Sequence, residues 1–336
     1  MSKDVPLRVG VVGAGAVAQL IHLPLLVDRS DVEVVALADA DEHRAATVAE
    51  RFGVPRVVDT GQLISDEQLD ALVICTPSHL HDSLAVAALE AGRHVLVERP
   101  FALTPEGCRE IVKAAESTGL VAMPGMSHRF RPEVSALRAY AMSGELGRIH
   151  SGRAAWMNRA IPARRSGWRH RTESGGGALM DLGVQAIDLL LWILGQPKIT
   201  RVTAVASRNE HEVEDAANLM MQTEDGAGLT VEVSWNSFAS EDRHYVRVLG
   251  TEGGGELPPL EIFKQVGGRP MDVTPEQGIS REEAKGYLRS FRREHDHFFR
   301  SIRGHVSPDL PVDQIQVMEV VRAAYQSIAE GREVTL

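Results

Sequence analysis

The chain has 336 residues and only two cysteines, Cys75 and Cys108. Two thiols cannot form the disulfide framework that staples a small secreted domain, and their scarcity fits a reducing compartment. There is no excess of positive charge. Lys and Arg number 36 against 46 Asp and Glu, for a formal net charge of −10, which excludes whole-chain attraction to nucleic acid or to an anionic membrane. No apolar run approaches the roughly 18 residues that a membrane span needs. The opening "MSKDVPLRVG" lacks the apolar core of a signal peptide. These absences read as a cytoplasmic protein without repeats or low-complexity segments. They also read as one without a metal site: His79 and His81 have no evident acidic or cysteine partner, and His295 and His297, two apart on a helix, do not share a face.

What is present is an ordinary globular composition, 43% hydrophobic and 24% charged, in a chain long enough for two domains. Near the start, the β-branched run Val9 to Val12 leads into Gly13-Ala14-Gly15-Ala16-Val17-Ala18, the G-x-G-x-x-[G/A] turn of a dinucleotide site. Gly13 permits the sharp turn, Gly15 admits a pyrophosphate close to the backbone, and Ala18 is small enough for helix–strand packing. Residues Ala16 and Val17 open a helix whose N-terminus favours phosphate. A second strand run, "VEVVALAD", ends in Asp39, 21 positions beyond Ala18. That is the spacing of an acid that accepts the adenosine ribose hydroxyls; the plainer reading is a helix cap. Asp39 disfavours a 2′-phosphate, so NAD is expected over NADP, with Arg44 as the one nearby residue that could favour NADP.

Strand runs and helical runs then alternate: "ALVICTP", "HDSLAVAALEAG", "HVLVERP", "TPEGCREIVKAAESTG" and "LVAMPGMSHRF". This is the pattern of a parallel, doubly wound sheet. It puts Thr76, Pro77, His79 and Arg99 at the carboxyl ends of strands, where such folds bind ligands. After about residue 127 the pattern changes. "GGGALMDLGVQAIDLLLWILG" reads as one glycine-led helix, and "ITRVTAVAS", "AANLMMQTE", "GLTVEVSWNS" and "HYVRVLGTEG" read as antiparallel strands, followed by an amphipathic last helix. The expected fold is α/β: residues 1–126 a Rossmann domain, and residues 127–336 an α+β domain with a large open, mainly antiparallel sheet. Asp181, Gln185 and Asp188, spaced i, i+4, i+7, would share one face of the glycine-led helix. They are either a polar site that the glycines let a ligand approach or a polar face packed under a loop.

The chain resembles the Gfo/Idh/MocA family over nearly its whole length. The residues that carry the resemblance are "VGVVGAGAVAQLIHLPLL", "VICTPSHLH", "HVLVERP", "SHRFRP", the glycine-led helix, "VRVLGTEG" and "GREVTL", in the family's order. The resemblance implies a nicotinamide cofactor held by the glycine turn, Asp39, Thr76, Pro77, His79, Glu98, Arg99 and Arg129. It implies oxidation or reduction of a sugar or cyclitol carbon, and a homodimer or homotetramer built through the second sheet. Two positions depart from the family pattern. Its Glu-Lys-Pro is Glu98-Arg99-Pro100 here, and the histidine of its Asp-x-x-x-His is Gln185. Glutamine has no titrating group, and arginine stays charged. Arg99 therefore either stabilises an anion or an oxyanion, or simply replaces the lysine at the cofactor ribose and nicotinamide. Asp181 becomes the first candidate for proton transfer, ahead of His128, His170, His244 and Tyr245. The catalytic candidates are thus Arg99, Asp181 and Gln185.

Between residues 152 and 177 six arginines meet a single acid, Glu173. Arg165, Trp168 and Arg169 are read from this stretch as substrate contacts for an anionic sugar, the alternative being a solvated loop or a subunit contact. Three functional readings stand at this point. The first is an NAD-dependent dehydrogenase of a sugar, sugar acid, nucleotide sugar or cyclitol. The second is a redox-neutral lyase, epimerase or glycosidase that uses bound NAD. The third is a nucleotide-binding protein that has lost its catalytic pair.

Overall fold

The computed structural model describes residues 5–160, 168–208, 212–275 and 287–336. It divides into two compact units, Met1–Gly125 with Tyr287–Val312, and Met126–Gly286 with Asp313–Leu336.

The first unit is built on a five-stranded sheet of order β2-β1-β3-β4-β5, all parallel. Its strands are β1 (Leu7–Val12), β2 (Val32–Ala38), β3 (Ala71–Ile74), β4 (His94–Glu98) and β5 (Ala122–Gly125). A single parallel bridge from Leu37 to Val57 continues the sheet beyond β2. With that stub counted as a strand, the order is that of a doubly wound dinucleotide fold, and the reversal of winding falls between β1 and β3. β3 is buried along its whole length and β4 at all but its first residue, as expected of strands covered on both faces. A wide π-type turn, Ala18–His22, runs into α1 (Leu23–Val27), and α2 (Glu42–Phe52), α3 (Thr60–Ser65), α4 (His81–Glu90) and α5 (Pro105–Thr118) come after it. Local chemistry sets several of these ends. Asp41 caps α2 by accepting from the Arg44 amide, and Thr104 caps α5 by accepting from the Gly107 amide, with Pro105 at the first helical position.

The second unit carries α6 (Pro132–Met142), α7 (Val184–Ile193) and α9 (Asp313–Glu330). Its nine-stranded sheet has the order β13-β12-β11-β10-β6-β9-β8-β7-β14. The strands are β6 (Ile149–Arg159), β7 (Ile199–Ser207), β8 (Ala216–Thr223), β9 (Gly228–Ser237), β10 (Arg243–Gly250), β11 (Gly253–Leu257), β12 (Glu261–Val266), β13 (Arg269–Asp272) and β14 (Val334–Thr335). Among the described residues, only the β6–β9 pair of this sheet is parallel. On β8, residues Ala217, Leu219 and Met221 are buried while Asn218, Met220 and Gln222 face outward, so one face of the sheet meets the core and the other does not. The segment Thr172–Ile193 is apolar and long enough to cross a membrane by composition alone, but 83% of its most apolar stretch is buried within the protein.

One expected boundary is corrected. The sequence pattern places everything from 127 to 336 in the second domain, yet α8 (Tyr287–Ile302) packs into the first unit. The reason lies in its buried stripe, Phe291, Glu294, His295, Phe298 and Phe299, which has helical spacing. Phe291 joins Ile21 and Leu25 in one apolar cluster. Arg29 pairs with Asp296 and lies over the Phe299 ring at 5.0 Å.

Candidate active site

In the first unit, Gly13 comes directly after β1 at φ +95°, and a Cβ there would lie 2.7 Å from the Cys75 backbone; glycine is required on both counts. Gly15 differs: a Cβ would meet nothing within 4 Å. The protein itself does not demand glycine at that position, whereas a pyrophosphate lying against the backbone would. The Asp39 carboxylate accepts from the Ala14 amide at 2.6 Å and the Asp41 amide at 2.8 Å. It also accepts from Arg44, through Nε at 3.2 Å and Nη2 at 2.5 Å. Burial opposes its charge, but Arg44 and these amides outweigh it and hold the carboxyl below its usual range. Asp39 is therefore tied to the glycine turn, and Arg44 covers it. The residues present fit NAD.

At the ends of β3 and β4, Thr76 and Pro77 are half-buried and His79 is exposed. His81 bridges the two strand ends, with Nδ1 2.7 Å from the Pro100 carbonyl and Nε2 2.9 Å from the Thr76 carbonyl. Glu98, expected at the cofactor, is buried and already engaged. His22 Nε2 donates to its Oε1 at 2.8 Å, and the Arg99 amide donates to its Oε2 at 3.1 Å. Neither His22 nor this role for Glu98 is visible in the sequence, because the partners are 76 positions apart.

In the second unit the glycine-led helix begins with another wide turn, Leu179–Gly183, before α7. Its i→i+5 bonds add a residue to the circuit, so Asp181, Gln185 and Asp188 do not form the straight stripe expected of an α-helix. Trp235 Nε1 donates to Asp181 Oδ2 at 3.0 Å, and Arg169 Nε donates to Oδ1 at 3.2 Å. The Asp181 side chain is 15% exposed. Gln185 is buried. Asp188 instead accepts from Arg129 Nε at 2.8 Å and from Gln314 Nε2 at 2.7 Å, and Arg129 Nη2 reaches Asp313 at 2.5 Å. Arg129, expected to touch the cofactor, is thus the centre of a buried ion-pair cluster that ties α7 to the start of α9.

Two of the three leading glycines, Gly176 and Gly177, are required by the protein itself. A Cβ on Gly176 would fall 2.2 Å from the Arg169 carbonyl, and one on Gly177, at φ +118°, would fall 2.3 Å from Glu214. Glu214 uses the space to accept from the Leu179 amide at 2.9 Å and from the Tyr325 hydroxyl at 3.0 Å. Of the three histidine candidates, His170 alone neighbours Asp181's surroundings, its ring 4.8 Å from that of Trp235. His128 and His244 both pack on Trp156, at 4.5 and 4.9 Å. The arginine stretch is largely neutralised where it is described: Arg153 pairs with Glu232, Arg169 with Asp181, and Arg171 with Glu173. Arg165 and the Trp168 side chain lie outside the described residues.

A parallel sheet with a glycine turn at its switch point, an acid at the end of β2 and a second open-sheet unit define an NAD-binding oxidoreductase. Comparison with known proteins makes this specific. Residues 7–126 match the Gfo/Idh/MocA family described as "Oxidoreductase family, NAD-binding Rossmann fold", and residues 134–256 match the "GFO/IDH/MocA C-terminal domain". The chain belongs to the Gfo/Idh/MocA family. It is 29% identical to D-glucoside 3-dehydrogenase of Escherichia coli (strain K12), over 98% of both chains. It is 32% identical to a putative UDP-kanosamine synthase oxidoreductase subunit of Amycolatopsis mediterranei (strain S699), over 74% of each. Among solved structures it resembles levoglucosan dehydrogenase in complex with NADH and L-sorbose, with a TM-score of 0.86 and 26% identity, covering 98% of this chain and 99% of that one.

Proposed function

We propose that this oxidoreductase acts on a hydroxyl or ketone of a sugar, sugar acid, nucleotide sugar or cyclitol, and that Asp181 takes the place of the missing helix histidine in proton transfer. The observation that carries this reading is the setting of Asp181. Its carboxylate is held by Trp235 and Arg169 at the start of the glycine-led helix yet keeps some exposure, while Gln185 cannot titrate. Bound NAD supplies the hydride acceptor. Asp181 then receives the hydroxyl proton, Gln185 orients that hydroxyl, and Arg99 supplies positive charge for the developing oxyanion. Arg165, Trp168 and Arg169 are the proposed substrate contacts. The names of the relatives, a D-glucoside 3-dehydrogenase and a levoglucosan dehydrogenase, support a carbohydrate substrate. Two buried free thiols are consistent with a cytoplasmic setting.

The test is a screen of sugars, sugar acids and nucleotide sugars with NAD, following NADH absorbance and product together. With a substrate in hand, Asp181→Asn is expected to lower kcat by about a hundredfold, with NADH affinity unchanged. A variant that keeps wild-type kcat would move the proton acceptor elsewhere. Product without net NADH would favour a redox-neutral reaction.

A further inference from the structure

The first unit contains a buried hydrogen-bond chain that the reaction above does not use. It begins at Glu98, the last residue of β4, passes through His22 on the helix after the glycine turn, and ends at His295 on α8. His22 Nε2 lies 2.8 Å from Glu98 Oε1 and its Nδ1 lies 2.9 Å from His295 Nε2. His22 and His295 are 0% exposed and Glu98 is 9% exposed. Polar groups buried this deeply destabilise a fold unless they are hydrogen-bonded and paired, and even a well-made buried pair adds little net stability over an apolar one.

The electrostatics agree with an ion pair inside this chain. Burial disfavours charge on His22, yet Cys75 and Glu98 beside it more than offset that and raise it well above the usual histidine range. Burial pushes the Cys75 thiol up, so Glu98 carries the countercharge. Burial also opposes ionisation of Glu98, but His22 and Arg99 hold it below the usual range. Burial and the charge on His22 push His295 well below its usual range, with Arg29 and Arg292 adding to the effect. The remaining neighbour is Glu294, whose two carboxylate oxygens are buried without a hydrogen-bond partner among the described residues. Burial and Glu98 push it well up, towards a neutral acid.

The functional consequence lies at the other oxygen of Glu98, which accepts from the Arg99 amide. We propose that His22 and His295 are positioning residues: they fix the Glu98 carboxylate, which in turn fixes the backbone of Arg99 where β4 ends at the cofactor side of the unit. α8 is then more than a packing helix, because it supplies the far anchor of a chain that reaches the strand end. The inference rests on NAD binding by the first unit, which titration of the wild-type protein checks separately.

The experiment is NADH titration of the full chain in four forms, with thermal midpoints measured alongside. Wild type is compared with Glu98→Gln, Glu98→Leu and the double variant His22→Phe with Glu98→Leu. Glutamine keeps an acceptor for the Arg99 amide, so Glu98→Gln is expected to stay within about threefold of wild-type affinity. Glu98→Leu removes the acceptor and is expected to weaken NADH about tenfold or more. The double variant replaces both members of the pair by apolar groups, so its thermal midpoint is expected to recover while its NADH affinity stays low. A purely structural role predicts the opposite, affinity returning with stability. Wild-type affinity in the double variant, or equal loss in folded Glu98→Gln and Glu98→Leu, overturns the proposal.

Discussion

At Asp39 four hydrogen bonds converge on one carboxylate, two from backbone amides and two from Arg44. A carboxylate offers about four acceptor positions, so if, as we propose, Asp39 receives the ribose hydroxyls of NAD, they would have to compete with the guanidinium, the only one of the donors that can swing away. Arg44 is 45% exposed, whereas the Asp39 side chain is 6% exposed. The same guanidinium offsets the repulsion between Asp39 and a 2′-phosphate, which softens the preference for NAD. Arg44→Ala is therefore expected to increase the ratio of NAD to NADP affinity by about fivefold, the scale of a half-exposed ion pair. Calorimetric titration with both cofactors measures it; an unchanged ratio would mean that Arg44 plays no part in cofactor choice. The place of Asp39 at the end of β2 beside the glycine turn, and of Arg44 next to it, is legible in the sequence, because both depend on spacing along one strand and one turn. The place of Asp181 at the start of the glycine-led helix is legible for the same reason. The partners of Asp181 are not: Trp235 reaches it from β9, 54 positions away, and nothing in a local pattern reports such a distance.

The elements tell the same story at the next scale. The alternation of strands and helices in the first half, and the long alternating strands in the second, are readable because each depends on side-chain periodicity within a few residues. The wide turns at Ala18–His22 and Leu179–Gly183 are not, because a π-type turn leaves the apolar pattern nearly intact while rotating the helix beyond it. The first of them ends at His22, which no sequence pattern singles out and which emerges in the fold as the centre of a three-element chain. This element-scale contact has a pH signature. His22 is raised in the folded state, so its contribution to stability is full below the ordinary imidazole range and is lost as pH climbs through the raised value. Glu98 is lowered, so its contribution is present above the ordinary carboxylate range and is lost as pH falls through the lowered value. Denaturant midpoints of the wild type are expected to form a plateau with a fall on each side. In His22→Phe the plateau is expected to drop by about 3 kcal/mol, since an unpaired Glu98 is left buried, and the alkaline fall is expected to vanish. An alkaline fall of equal size in that variant would assign it to another group.

At the scale of the whole molecule, one exposed apolar surface that the reaction leaves unused is the outer face of the second unit's sheet. Exposed side chains on this face include Val205, 64% exposed, and Met220, 60% exposed. With Arg153, Thr203, Asn218 and Thr230 they line a shallow cavity of about 440 Å³. The opposite face is the core, where buried residues of β7, β8 and β9 alternate with these outward ones. An apolar patch on an open sheet with a polar border, Arg153 and Glu232 forming one ion pair of that border, has the composition of a subunit contact. We propose a second copy of the chain as its occupant, in line with the family resemblance. A stable contact of this kind buries about 800 Å² per partner, which four broad strands can supply and a single loop cannot. Charge placed at the centre of such a patch is left without a partner on the facing copy, and like charges meet across a two-fold axis. Val205→Glu combined with Met220→Glu is therefore expected to convert the proposed dimer or tetramer to monomer in sedimentation velocity, with little change in the far-ultraviolet spectrum, because both side chains already point to water in the single chain. A wild-type protein that sediments as a monomer at micromolar concentration, or a double variant that keeps the wild-type mass, would remove this face from consideration as the contact.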